Sequence, residues 1–199
     1  MRVRAHSILA LLTAAVLPAC AGAGGSLPSA PNQLQSAGVM PVYNDRYPDS
    51  VAAAVTPQIV GVDNHNGVAK VNDPTYGEIW GYFNGTTSLM SQVVTLTANE
   101  PVQFQNVDTT DVHTVAFLGD ASSTGTTWPA TFNGGTIKSP KNTVISTTGW
   151  DTGLLKIGTK SLVYNAGPAG YYMIGCKIHY SHGMRTVVIV QAPGAISIF

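Results

Sequence analysis

No heptad and no sustained apolar stripe of helical period runs through this chain. Its apolar residues come in short runs that alternate with polar ones and stop at turns, which is the signature of half-buried strands. Residues 92–97 set Val94 and Leu96 against Thr95 and Thr97, and residues 102–106 put Val102 and Phe104 on one face, with Asn99-Glu100-Pro101 as the turn between them. The same reading gives strand candidates at 58–62, 67–71, 78–83, 113–118, 143–146, 161–164, 171–175 and 185–191. Residues 119–142 are rich in Gly, Thr, Ser, Asn and Pro and read as a long loop insertion. With 21 Gly, 12 Pro and only 10% charged residues, the composition also suits an all-β sandwich or barrel.

The first residues belong to a different kind of segment. Arg2 and Arg4 precede an apolar run, residues 8–17, that is too short to anchor stably across a bilayer, and Leu17-Pro18-Ala19-Cys20 follows. Residues 1–19 read as a signal peptide. Its ending resembles a bacterial lipobox, in which Cys20 takes the lipid; the plainer reading is ordinary cleavage nearby, after Ala21 or Ala23. The arginines are not adjacent, so a twin-arginine signal is not supported. Residues 20–40 lack periodicity and read as a flexible tether. Residues 41–90, with Pro41, Pro48 and Pro57 and room for a helical turn at 51–55, are expected to form an N-terminal extension packed on the domain of residues 91–199. Without residues 1–19, eight basic residues face ten acidic ones, a net charge of −2. Nothing in that balance suggests nucleic acid.

The cysteines narrow the chemistry. There are two, Cys20 and Cys176, so if Cys20 is lipidated or removed the thiol of Cys176 has no partner. A lone thiol on an exported protein is inert and buried, a nucleophile, or a metal ligand. Cys176-Lys177-Ile178-His179-Tyr180-Ser181-His182-Gly183-Met184 favours the last, because C-x2-H-x4-M sets thiolate, imidazole and thioether in one loop between two strands. One thiolate, two imidazoles and a weak thioether are the donors of a mononuclear electron-transfer copper site. The second imidazole must come from elsewhere. His6 leaves with the leader, His65 in Asp63-Asn64-His65-Asn66-Gly67 reads as a solvated turn, and His113 stands where a turn enters a strand.

Taken together, Asn106…His113-Thr-Val-Ala-Phe and Gly170-Tyr171-Tyr172-Met173-Ile174-Gly175-Cys176-x2-His179-x4-Met184 resemble the plastocyanin and pseudoazurin family of cupredoxins over roughly residues 91–191; the segment from Thr148 to Gly158 is similar to the one before that family's penultimate strand. The resemblance implies a Greek-key β-sandwich holding one type 1 copper on His113, Cys176, His179 and Met184. It further implies single-electron shuttling between redox partner proteins, with His179 reaching the surface as the exit. With the leader of residues 1–19, the expectation is a monomer exported to the periplasm or the outer face of a membrane. Membrane contact would be only through Cys20. Four departures stand out: Thr114 where the family has Asn, Thr186 where it has Gly, 63 positions between His113 and Cys176, and an extra His182 inside the loop. His182 is a solvated loop residue, an outer group on the electron path, or a ligand replacing Met184 as in a red-copper site. A copper storage or delivery protein is the other alternative, disfavoured by only five scattered Met. An enzyme is not expected, since there are no His-x-His pairs and position 180 is Tyr rather than a second loop Cys.

Overall fold

Alternation in sequence becomes alternation in burial. The strands of the described residues are β1 (Gln58–Val62), β2 (Val71–Asp73), β3 (Gly77–Ile79), β4 (Tyr82–Asn84), β5 (Val94–Thr97), β6 (Pro101–Asn106), β7 (Ala116–Asp120), β8 (Tyr164–Asn165), β9 (Gly170–Gly175) and β10 (Arg185–Gln191). In β5, Val94 and Leu96 are buried; in β6, so are Val102, Phe104 and Asn106, with the intervening residues only half covered. The computed structural model describes residues 55–65 and 68–195, all within the compact unit Pro48–Phe199. The expected leader (1–19), Cys20, the tether (20–40) and residues 41–54 of the extension lie outside the described residues.

Two open four-stranded sheets face one another, in the orders β4-β1-β6-β8 and β5-β10-β9-β7, with β2 and β3 as a separate ribbon. The fold is therefore the expected all-β sandwich. The chain changes sheet at every step from β4 to β9. Residues 58–84 contribute two strands of the first sheet: β1 pairs in parallel with β6 (Val60 opposite Phe104) and antiparallel with β4. In the second sheet, β10 lies parallel to β5 and antiparallel to β9, with Arg185 opposite Gly175. That register brings the end of β9 and the start of β10 together, so the loop between them projects from one end of the sandwich. Among the described residues there is no α-helix, and no helix long and apolar enough to cross a membrane.

The core lies between the sheets. Val60, Val62 and Phe104 from one side meet Leu96, Ile174, Val188 and Val190 from the other. Trp150 fills the centre, its ring 5.5 Å from Phe104 and 5.1 Å from Tyr164. Each such side chain contributes about 1.5–3 kcal/mol by leaving water.

The structure redraws several expected strands, each for a local reason. Residues 78–83 are not one strand: Gly81, at φ +84°, breaks them into β3 and β4. Residues 113–115 stay out of β7, because His113 exchanges backbone hydrogen bonds with Leu155 and Thr152 takes the Val115 N–H on its hydroxyl. Residues 143–146 make only a single bridge, Val144 with Asn165, and residues 161–163 lead into β8 without joining it. Of the segment 67–71 only Val71 is in a strand among its described residues. Residues 121–142 are irregular, as expected of the insertion, and are fastened by Trp128 Nε1 donating to Tyr76 O (2.9 Å) and Tyr180 Oη to Pro129 O (2.8 Å).

Phe104→Ala is expected to lower the unfolding free energy by about 3–5 kcal/mol in denaturant titration, since the cavity opens against Trp150 where neither sheet can collapse to fill it.

Candidate metal centre

Two loops meet at the end of the sandwich. The first leaves β6 through Asn106, whose buried amide donates to Asp111 O (2.9 Å) and Leu155 O (3.0 Å) and accepts the Asp108 N–H (2.9 Å). These three bonds shape residues 106–113 into a fixed arch that ends on His113. The second loop runs from β9 to β10. It is closed by Cys176 N donating to Met184 O (3.1 Å) and Met184 N to His179 O (3.2 Å), with a short 3-10 turn, Tyr180–His182, in between. Gly183 ends that turn at φ +93°, a conformation that favours glycine.

Cys176 Sγ lies at the junction, fully buried, 3.9 Å from His113 Nδ1 and 3.7 Å from His179 Nδ1. All three donor atoms lie within 4.8 Å of one another. An ion held in a trigonal plane by bonds of about 2.0–2.3 Å needs sulfur and nitrogen about 3.8 Å apart. The three atoms thus have the spacing of one coordination plane, and the soft thiolate with two imidazoles is the donor chemistry of copper.

Met184 is also buried, in the same core cluster as Cys176, and its backbone bonds to Cys176 N and His179 O as above. Its side chain packs on the backbone of Gly81. A Cβ at position 81 would lie 2.7 Å from Met184 Cε and 3.3 Å from its sulfur. Gly81 is itself pinned, with its N–H on Ser91 Oγ (2.9 Å) and its carbonyl accepting from Asp63 N (3.1 Å). The break between β3 and β4 is therefore also the floor under the thioether, which the sequence did not reveal.

Thr114 joins the loops. Its N–H donates to Cys176 Sγ (3.4 Å) and its hydroxyl accepts from Lys177 N (2.8 Å), with the same oxygen 3.9 Å from the sulfur. Thr186, two residues after Met184, is bound as well, its hydroxyl donating to Gln92 O (2.7 Å). His182 is exposed and stands apart from the donor group, its ring centroid 6.4 Å from that of His179. It faces an open groove with Lys70, Glu78, Trp80 and Arg185. His179 does not reach freely into solvent. Its side chain is 15% exposed and its Nε2 lies 3.2 Å from Asp111 Oδ2. His65 lies in an exposed bend, as expected of a solvated turn, but its ring also lies beside Asp108 and Asp111, contacts across more than forty residues that no local pattern announces.

Burial sets the protonation of the site. It pushes the Cys176 thiol up, opposed by N–H donors from Thr114, His179 and Ile178. Burial lowers both imidazoles, partly offset by Asp108 at His113 and reinforced by His113 at His179. Asp108 is the exception. Burial alone would raise it, but Thr110 and Asp111 N–H groups, the Thr110 hydroxyl and His113 together hold it well below the usual carboxylate range.

No family model and no curated protein matches the sequence. Among solved structures, the chain is similar to dithionite-reduced auracyanin from the photosynthetic bacterium Roseiflexus castenholzii (16% identity, covering 67% of this chain and 94% of that one, TM-score 0.34). It is also similar to auracyanin B (17% identity, 68% and 91% covered, TM-score 0.36).

Two outcomes are expected. Gly81→Ala should cost about 1–3 kcal/mol in unfolding free energy through its positive φ, and should displace the Met184 methyl resonance in NMR spectra of the metal-free protein. Metal binding must ionise the raised thiol while both imidazoles are already neutral. Between pH 6.5 and 8 it should therefore release about one proton, and affinity should rise about tenfold per pH unit, read by chelator competition.

Proposed function

We propose that this protein is a type 1 copper electron carrier, binding one copper ion through His113, Cys176, His179 and Met184. The observation that supports it best is the buried Cys176 sulfur, 3.7 and 3.9 Å from two imidazole Nδ1 atoms and already accepting the Thr114 N–H. A bound copper ion would supply a one-electron Cu(I)/Cu(II) couple. The chain's part is to keep the donors still while charge changes. The Asn106 arch fixes His113, the Thr114 bridge fixes Cys176, and the closed turn fixes His179 and Met184. Small ligand movement means a small reorganisation cost for each transfer. With three strong donors and a thioether from the protein, no coordination position remains for a substrate, which favours a carrier over an enzyme.

Redox proteins would serve as donor and acceptor, and the leader-like residues 1–19 ending at Cys20 favour an exported protein held by a lipid at the membrane face. His182 is exposed and outside the donor group, which speaks against a red-copper site.

Visible absorption and EPR of the Cu(II)-loaded protein test the reading. Intense visible colour with a narrow copper hyperfine splitting is expected, and both should vanish in Cys176→Ser. A pale, ordinary Cu(II) spectrum indifferent to Cys176→Ser would overturn it.

A further inference from the structure

Three side chains outside the donor set converge on its outer edge. Asp108 is fully buried, and its Oδ2 lies 3.0 Å from His113 Nε2. Its other oxygen, Oδ1, accepts from Thr110 N (2.8 Å), Thr110 Oγ1 (2.8 Å) and Asp111 N (3.1 Å), so the carboxylate cannot swing away. Asp111 Oδ2 lies 3.2 Å from His179 Nε2. His65 Nδ1 has Asn64 Oδ1 as its nearest partner and lies beside both carboxylates, 3.3 Å from Asp108 Oδ2 and 3.4 Å from Asp111 Oδ2. The turn that carries it is held by His65 N donating to Asp63 Oδ1 (2.8 Å), and Asn64 N reaches Asp108 Oδ2 at 3.3 Å.

Both inner imidazoles turn Nδ1 towards the Cys176 sulfur, but their outer ends differ: His113 Nε2 is hydrogen-bonded to Asp108, whereas His179 Nε2 meets Asp111 as a close charge contact. A neutral imidazole has one ring proton, and in water it exchanges between the two nitrogens. A carboxylate accepts hydrogen bonds and donates none, so it keeps the proton on Nε2 and leaves the Nδ1 lone pair free to ligate.

We propose that Asp108 and Asp111 form an outer clamp that fixes His113 and His179 as Nε2–H tautomers, Asp108 through a hydrogen bond and Asp111 through its charge, orienting both Nδ1 lone pairs on the metal position. Asp108 and Asp111 are positioning residues, and the His65 ring lies against both carboxylates. The inference rests on the copper reading for its purpose, but not for its observable. Because the clamp covers Nε2 of His179, the outermost atoms of the site in this direction belong to Asp111 and His65 rather than to a ligand ring.

The test is long-range proton–nitrogen NMR of the metal-free full chain labelled at histidine, at neutral pH, with Cu(I) affinity measured alongside by chelator competition. The wild type should show His113 and His179 with protonated Nε2 and unprotonated Nδ1. In Asp111→Ala, at a half-exposed position that tolerates truncation, His179 alone should become a mixture of tautomers. Asp108→Asn keeps an acceptor for the Thr110 and Asp111 N–H groups but turns an amide donor towards His113, and should shift His113 alone towards Nδ1–H. Cu(I) affinity should fall about 10–100-fold in each variant, and less in His65→Gln. A mixed tautomer in the wild type, or an unchanged His179 in Asp111→Ala, would overturn the clamp even if the protein is intensely coloured with copper. Fixed tautomers in a chain that gives no type 1 spectrum would uphold the clamp and remove the copper reading instead.

Discussion

The arrangement turns on the contact between Thr114 and the Cys176 segment. The Cys176 sulfur and the His113 ring are 63 residues apart, at the end of β9 and just before β7; these strands pair in one sheet and bring the two segments side by side, but the gap between sulfur and ring has still to be set. Thr114 sets it with two hydrogen bonds, one from its N–H to the sulfur and one at its hydroxyl from Lys177 N. The first also lowers the electron density on a thiolate, so the contact that sets distance also tunes the ligand. An asparagine is the usual residue at this position in the plastocyanin-like motif. Here a shorter side chain is enough, because the backbone itself carries the bond to sulfur.

That contact needs a rigid floor. The parallel pairing of β5 with β10 and the antiparallel pairing of β9 with β10 fix where Cys176 leaves the sheet and where Met184 returns. Trp80 N donates to Arg185 O (2.9 Å), tying the β3–β4 junction to the first residue after Met184 and holding Gly81 beneath the thioether. On the other side, the Arg185 guanidinium lies over the rings of Trp128 (4.9 Å) and Tyr180 (5.7 Å), so the 119–142 insertion braces the ligand loop from outside.

The sequence made the inner site legible and left its surroundings dark, for a physical reason. Cys176, His179 and Met184 are local in sequence, and His113 could be reached by elimination among five histidines. The alternation in 92–106 likewise announced β5 and β6, because a strand's own residues encode its buried face. His65, Asp111 and Gly81 act across long loops, and their neighbours come from elsewhere in the chain. His65 in particular sits in an Asx-rich turn, a context that reads as solvated unless the acidic arch facing it is seen. The failure at 78–83 has a related origin: Ile79, Trp80, Tyr82 and Phe83 favour a strand, and the Gly81 that breaks it is held by Ser91 and Asp63 from elsewhere in the chain.

The balance of charge explains how these groups can be buried together. Two imidazoles and a thiol buried as ions would each carry a heavy desolvation cost, yet burial holds all three in their neutral forms. Asp108 is the charge that stays buried, and it is surrounded by donors: the Thr110 and Asp111 N–H groups, the Thr110 hydroxyl, Asn64 N and the His113 ring. Its hydrogen bonds stabilise the fold above the ordinary carboxylate pKa of about 4, and that contribution is lost as pH falls towards the depressed folded-state value. The arch from Asn106 to His113 therefore folds around a carboxylate.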